Sequence, residues 1–158
     1  ERCEKSGAST SRPFGHRREN HQMAKIKKLN HIAIAVDDIS AALDFWENAL
    51  GIKLDHIEDV PAQKAQVAFL PVGDSQIELV QPTAGDTGTA KFLQSRGPGM
   101  HHLCFEVDDI EAMLVNLRAK GIRLINEEPL ELEDRRMAFI HPKSANGVLI
   151  ELYEITGS

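Results

Sequence analysis

The residues with the most chemical content in this chain are two histidines, each opening a stretch of nearly the same pattern. "HIAIAVDDI" begins at His31 and "HLCFEVDDI" begins at His102, 71 positions further on. Two glutamates echo each other in the same way, Glu78 in the "IEL" at 77–79 and Glu151 in the "IEL" at 150–152. Taken singly, each has an ordinary explanation: a strand-borne His is commonly packed or exposed, and a Glu between aliphatic neighbours commonly marks the wet side of a half-covered sheet. The repetition weighs against that reading, because both copies keep the same two polar types at the same two places while most other residues differ. Two imidazoles and two carboxylates on one concave sheet face offer nitrogen and oxygen donors suited to an octahedral divalent metal, with positions left for substrate or water.

The elements that would carry these four side chains can be read from the same repeat. "HIAIAVDDISAALDFWENALGIKL" and "HLCFEVDDIEAMLVNLRAKGIRL" share the His, the Val-Asp-Asp-Ile, a spaced Ala and Leu, and a closing Gly-Ile-x-Leu, with one residue deleted in the second copy. That is a duplicated unit. Each copy opens with a strand, after which the Asp-Asp pair offers N-cap oxygens to a helix. Ile39, Leu43, Trp46 and Leu50 recur at helical spacing, as do Ile110, Leu114 and Leu117, and Gly51 and Gly121 stand where the helices end. Three strand-like segments come after each helix: "IKLDHIE", "AQVAFLPV" and "SQIELVQ", then "IRLINEE", "RMAFIHP" and "VLIELYE". Each half therefore reads as β-α-β-β-β, with residues 81–100 and a short helix in "TAKFLQSRG" joining them. Strand alternation sets His31 on one face with Ala33 and Ala35, and His102 with Cys104 and Glu106. His16, His21, His56, His101 and His141 have no internal echo and read as structural or exposed.

The 158 residues and 42% hydrophobic content suit one compact unit. We expect a single domain over residues 25–156, with repeats at about 29–80 and 100–154, preceded by a disordered extension over 1–24 that has no apolar periodicity and no signal-peptide core. A net charge of -6 argues against nucleic-acid binding. No apolar run is long enough to span a bilayer. Cys3 and Cys104 form no CxxC pair, so a reduced compartment is the simpler expectation: cytoplasm, or the mitochondrial matrix in a eukaryotic source. Cys104 reads as a small buried hydrophobe.

Paired β-α-β-β-β units with one His and one Glu each resemble the vicinal oxygen chelate (glyoxalase) superfamily. Within it, the pieces "LNHIAIAVDDI", "LGIKLDHIEDVPAQ", "IELVQP", "AKFLQSRGPGMHHLCFEVDDI", "GIRLINEEP" and "FIHPKSANGVLIEL" resemble the methylmalonyl-CoA epimerase family over roughly residues 29–154. The resemblance implies an α+β glyoxalase-like fold whose curved mixed sheet encloses a metal site. It implies His31, Glu78, His102 and Glu151 as ligands of a divalent metal, cobalt first, with zinc, manganese, nickel or magnesium as alternatives. Gln76, on the same strand as Glu78, and His101, beside His102, are the competing choices that the repeat rejects. The implied reaction is interconversion of the 2R and 2S forms of an acyl-CoA, methylmalonyl-CoA, with Glu151 as catalytic base and a homodimer as the assembly. Some family members carry a second glutamate where this chain has Val67, beside Gln66, so the second proton carrier is unassigned. A glutathione-dependent isomerase of the glyoxalase I type, an extradiol-type dioxygenase and a non-enzymatic binding protein of the same fold are the rival functions.

Overall fold

The computed structural model describes residues 23–157. Residues 1–22 of the extension expected to be disordered lie outside the described residues. Its last residue, Ala24, packs against the core of the second half, and the next, Lys25, donates its backbone N–H to Asp108 Oδ1 at 2.7 Å.

Among the described residues, eight strands form one mixed sheet in the order β2-β3-β4-β1-β5-β8-β7-β6. The first half supplies β1 (Ile26–Ala35), β2 (His56–Val60), β3 (Ala65–Val72) and β4 (Ser75–Pro82); the second supplies β5 (Gly99–Val107), β6 (Leu130–Glu131), β7 (Arg135–Ile140) and β8 (Leu149–Ile155). In each half the opening strand pairs in parallel with the closing one, β1 with β4 and β5 with β8, while β1 and β5 meet antiparallel at the centre. Reading outward from that central pair gives the same connectivity on both sides. The duplicated sequence thus folds as two related half-sheets joined at a seam.

Three α-helices among the described residues accompany the sheet: α1 (Ile39–Leu43), α2 (Gly88–Arg96) and α3 (Ile110–Ala119). The second Asp of each Asp-Asp pair caps its helix, Asp38 Oδ1 accepting from Ala41 N–H at 2.8 Å and Asp109 Oδ1 from Ala112 N–H at 2.9 Å. Both helices end on glycines with positive φ, 87° at Gly51 and 75° at Gly121, a conformation that favours glycine. The extra residue of the first copy is taken up by a π-helical turn over Asp44–Ala49 that continues α1. One inserted residue widens a helical turn in this way and leaves the downstream chain in register.

α1 with its π-helical continuation and α3 each bury their apolar side against their own half-sheet. Ile39, Leu43 and Trp46 pack with Val36, Leu70 and Leu79; Ile110, Met113 and Leu114 pack with Val107, Ala138 and Leu152. The other face of the sheet is thereby left for the polar residues.

Two strand expectations are corrected, the first being "IKLDHIE", where the strand begins only at His56. "IRLINEE" forms no continuous strand: Leu124 makes an isolated bridge to Ile140, and the ladder resumes only at β6. Ile125 N–H donates to Phe139 O at 2.8 Å, but Phe139 N–H is taken at 3.1 Å by the side-chain oxygen of Asn126 in place of a backbone carbonyl. Pro129, lacking an N–H, cannot extend the pairing. No helix among the described residues is long and apolar enough to cross a membrane.

Candidate active site

A cavity of about 380 Å³ lies against the sheet face opposite α1 and α3, lined from β1, β3, β4, β5, β7 and β8 and closed in part by the start of α2. Six strands walling one cavity require the sheet to curve around it. His31 (β1), Glu78 (β4), His102 (β5) and Glu151 (β8) all line it. His31 and Glu151 are buried, with 2% and 3% of their surface exposed.

Three of the four bring donor atoms to one point. His31 Nε2 lies 3.2 Å from His102 Nε2 and 3.3 Å from Glu151 Oε2, and His102 Nε2 lies 2.9 Å from Glu151 Oε2. Adjacent ligands of an octahedral ion with bonds of about 2.1 Å stand about 3 Å apart, so this triangle has the dimensions of one octahedral face. Glu78 reaches His31 from the other side of the ring, its Oε2 2.6 Å from Nδ1, which is also 2.8 Å from Asn30 Oδ1. The donor set fits a divalent cation through His31, His102 and Glu151, with Glu78 the adjacent carboxylate.

The electrostatics agree. Burial alone would lower the pKa of His31, but hydrogen bonds to Glu151 and Glu78 and their charges outweigh it and raise it to about 9. Burial alone would raise that of Glu151, but His102 and His31 hold it down at about 2. The cluster is therefore a buried imidazolium–carboxylate array that a cation can enter by displacing a proton.

Cys104, paired with both His31 and Glu151 in the sheet register, is fully buried and places its sulfur within 4.8 Å of donor atoms on both. Burial, with the charges of Glu151 and Glu78, pushes its thiol well above the ordinary range, so the sulfur keeps its proton. Glu106, on the same strand face, pairs instead with Lys27 at 3.1 Å. Val67 is buried on the cavity wall opposite Val80, so the place where some relatives carry a second glutamate is apolar here. Gln76 stands opposite His31 in the β1–β4 register, and the strand-mate that lines the cavity is Glu78.

His101, which sequence reasoning set aside, also lines the cavity, with Nδ1 2.8 Å from His102 Nδ1. Burial and the proximity of His102 lower its pKa to about 4, keeping it neutral. Tyr153, two residues beyond Glu151, sets its ring edge-on to His31 with 5.5 Å between centroids. Its position on the Glu151 face was the available signal in the sequence.

The family model for the glyoxalase/bleomycin resistance protein/dioxygenase superfamily matches residues 30–139. The mitochondrial methylmalonyl-CoA epimerase of Homo sapiens is 37% identical over 147 residues, covering 92% of this chain and 82% of that protein. This chain belongs to the methylmalonyl-CoA epimerase family of that superfamily. By that membership it is an isomerase. A solved methylmalonyl-CoA epimerase from Mycobacterium tuberculosis superposes with a TM-score of 0.75 at 40% identity, covering 83% of this chain and 89% of the other. Another, in complex with methylmalonyl-CoA and NH4+, gives a TM-score of 0.74 at 32% identity over 84% and 96%.

Proposed function

We propose that this chain interconverts the 2R and 2S forms of methylmalonyl-CoA by moving the proton at C2, with a divalent cation held by His31, His102, Glu151 and Glu78. The observation that carries this reading is the triangle of His31 Nε2, His102 Nε2 and Glu151 Oε2 at the base of a cavity large enough for the acyl end of the substrate. The solved family member in complex with methylmalonyl-CoA supports the substrate class. A cation bound there would supply Lewis-acid stabilisation for the negative charge that develops on the substrate's oxygens as C2 loses its proton.

The residues of the chain do the rest. Glu151 is ionised and buried, and we assign it as the base that takes the proton on one side. Glu78 stands on β4 and Glu151 on β8, on either side of the β1–β5 seam. With Val67 unable to carry a proton, we assign Glu78 as the carboxylate that returns one from the other side. The apolar wall of Val67, Val80, Met137 and Phe139 excludes water from the carbanionic carbon. The test is exchange of the C2 proton of methylmalonyl-CoA followed by NMR, with and without chelator. Metal-dependent exchange is expected; its absence in metal-loaded protein refutes the reading and leaves a glyoxalase I-type isomerisation as the next assay. We further infer a homodimer, checked by light scattering.

A further inference from the structure

We propose that the residue immediately before each site histidine, Asn30 in the first half and His101 in the second, is a positioning residue that accepts the Nδ1 proton of the following imidazole and so presents its Nε2 to the shared centre. The inference rests on the reading that a divalent cation occupies that centre.

Alternation along a flat strand puts neighbouring side chains on opposite faces, so Asn30 and His101 should point away from His31 and His102. The register at the seam shows why they do not. Between Leu29 and His31, β1 advances two residues while β5 advances one, from Phe105 to Cys104; between His102 and Met100, β5 advances two while β1 advances one, from Ala33 to Ile34. Asn30 and His101 are therefore the extra residues of two β-bulges, related by the same duplication as the histidines. A bulge re-aims the side chain it inserts. Here each one turns the preceding residue back onto the imidazole: Asn30 Oδ1 to His31 Nδ1, and His101 Nδ1 to His102 Nδ1, both at 2.8 Å.

Equal distances made by different residue types point to one shared property. An amide oxygen and an imidazole nitrogen share the ability to accept an N–H, and share little else. A neutral imidazole that carries its proton on Nδ1 must offer a lone pair on Nε2, and it is the Nε2 atoms of both histidines that meet Glu151. Histidine ligands of metal ions are commonly fixed in this way by the partner of the other nitrogen. Asn30 has a second consequence. His31 Nδ1 has two acceptors, Asn30 Oδ1 and Glu78 Oε2. Glu78 can turn toward a cation while Asn30 keeps the buried N–H satisfied.

The first half also prescribes the control, since it shows that an asparagine at this place reaches the imidazole. Asn30→Leu, His101→Leu and His101→Asn are compared with wild type in the full chain, and zinc affinity is measured by chelator competition. Each leucine variant should bind zinc about 10- to 100-fold more weakly, and His101→Asn should recover most of the loss. Folded leucine variants with wild-type affinity would overturn the proposal. So would equal loss in His101→Leu and His101→Asn, which would mark packing and not hydrogen-bond acceptance as the cause. Failure of wild type to bind any divalent ion would refute the occupancy reading alone. The imidazole 15N shifts of the metal-free protein, taken at a pH where its imidazoles are neutral, then decide the positioning role: a proton that leaves His102 Nδ1 in His101→Leu supports it, and an unmoved one rejects it.

Discussion

Glu151→Gln should change how the stability of the metal-free protein depends on pH, by an amount the site itself sets. In wild type, His31 is raised from 6.5 to about 9 by its hydrogen bonds to Glu151 and Glu78, against its burial. At about 1.4 kcal/mol for each tenfold change in proton affinity, that difference corresponds to about 3 kcal/mol. A histidine whose pKa is raised by folding contributes fully below its unfolded value of 6.5, and the contribution is lost as pH rises through about 9. Glu151 shows the acid side of the same interaction. Its value falls from 4.5 to about 2, so its contribution is present above 4.5 and disappears as pH falls toward 2. The two figures describe one shared array and are not added. The metal-free protein should therefore draw most from this cluster between pH 4.5 and 6.5 and lose about 3 kcal/mol on the way past pH 9. Glutamine cannot supply the charge, so urea unfolding of Glu151→Gln in chelator should show a much flatter profile on the alkaline side. A variant with the wild-type alkaline slope would refute the assignment of His31's raised pKa to Glu151.

On the proposed ligand set a cation and the His31 proton would compete for one nitrogen, so metal affinity should rise about tenfold per pH unit below 9 and level off above it, as followed by chelator competition; a flat profile would exclude His31 as a ligand. Glu151→Gln, reloaded with excess divalent metal, should still bind methylmalonyl-CoA but exchange the C2 proton slower by about 100-fold or more, and near-normal exchange would remove Glu151 as the base. His31→Ala and His102→Ala should each lower bound metal, measured by elemental analysis, while Gln76→Ala should retain it. Asp109→Ala removes the cap of α3 and should lower unfolding free energy by about 1 kcal/mol without changing metal content.

Internal duplication made much of this arrangement legible in the sequence. Repetition of His and Glu at matched places drew attention to His31, Glu78, His102 and Glu151, and the structure brings all four to one cavity. The Asp-Asp pairs and the closing glycines marked the helix ends for local reasons: short side-chain oxygens cap helices, and glycine tolerates the positive φ beyond them. What stayed hidden depends on register between strands distant in sequence. The bulges that place Asn30 and His101 beside the histidines arise from the pairing of β1 with β5, which no single strand records. The broken ladder after α3 was missed because "IRLINEE" has strand-like residues, while Asn126 supplies from its side chain the acceptor that a regular strand takes from its backbone.

The seam between β1 and β5 also bears on kinetics. Every strand pair outside it joins strands of the same half, so the two half-sheets can organise before they meet. Glu78 and Glu151 are supplied by opposite halves, as are His31 and His102, and the seam must close before their donor atoms converge. On the proposed occupancy, a cation that bridges them would be absent from any early folding nucleus and present only once docking is complete. It would then act as a late clasp, leaving the rate of folding nearly unchanged and slowing the rate at which the halves come apart.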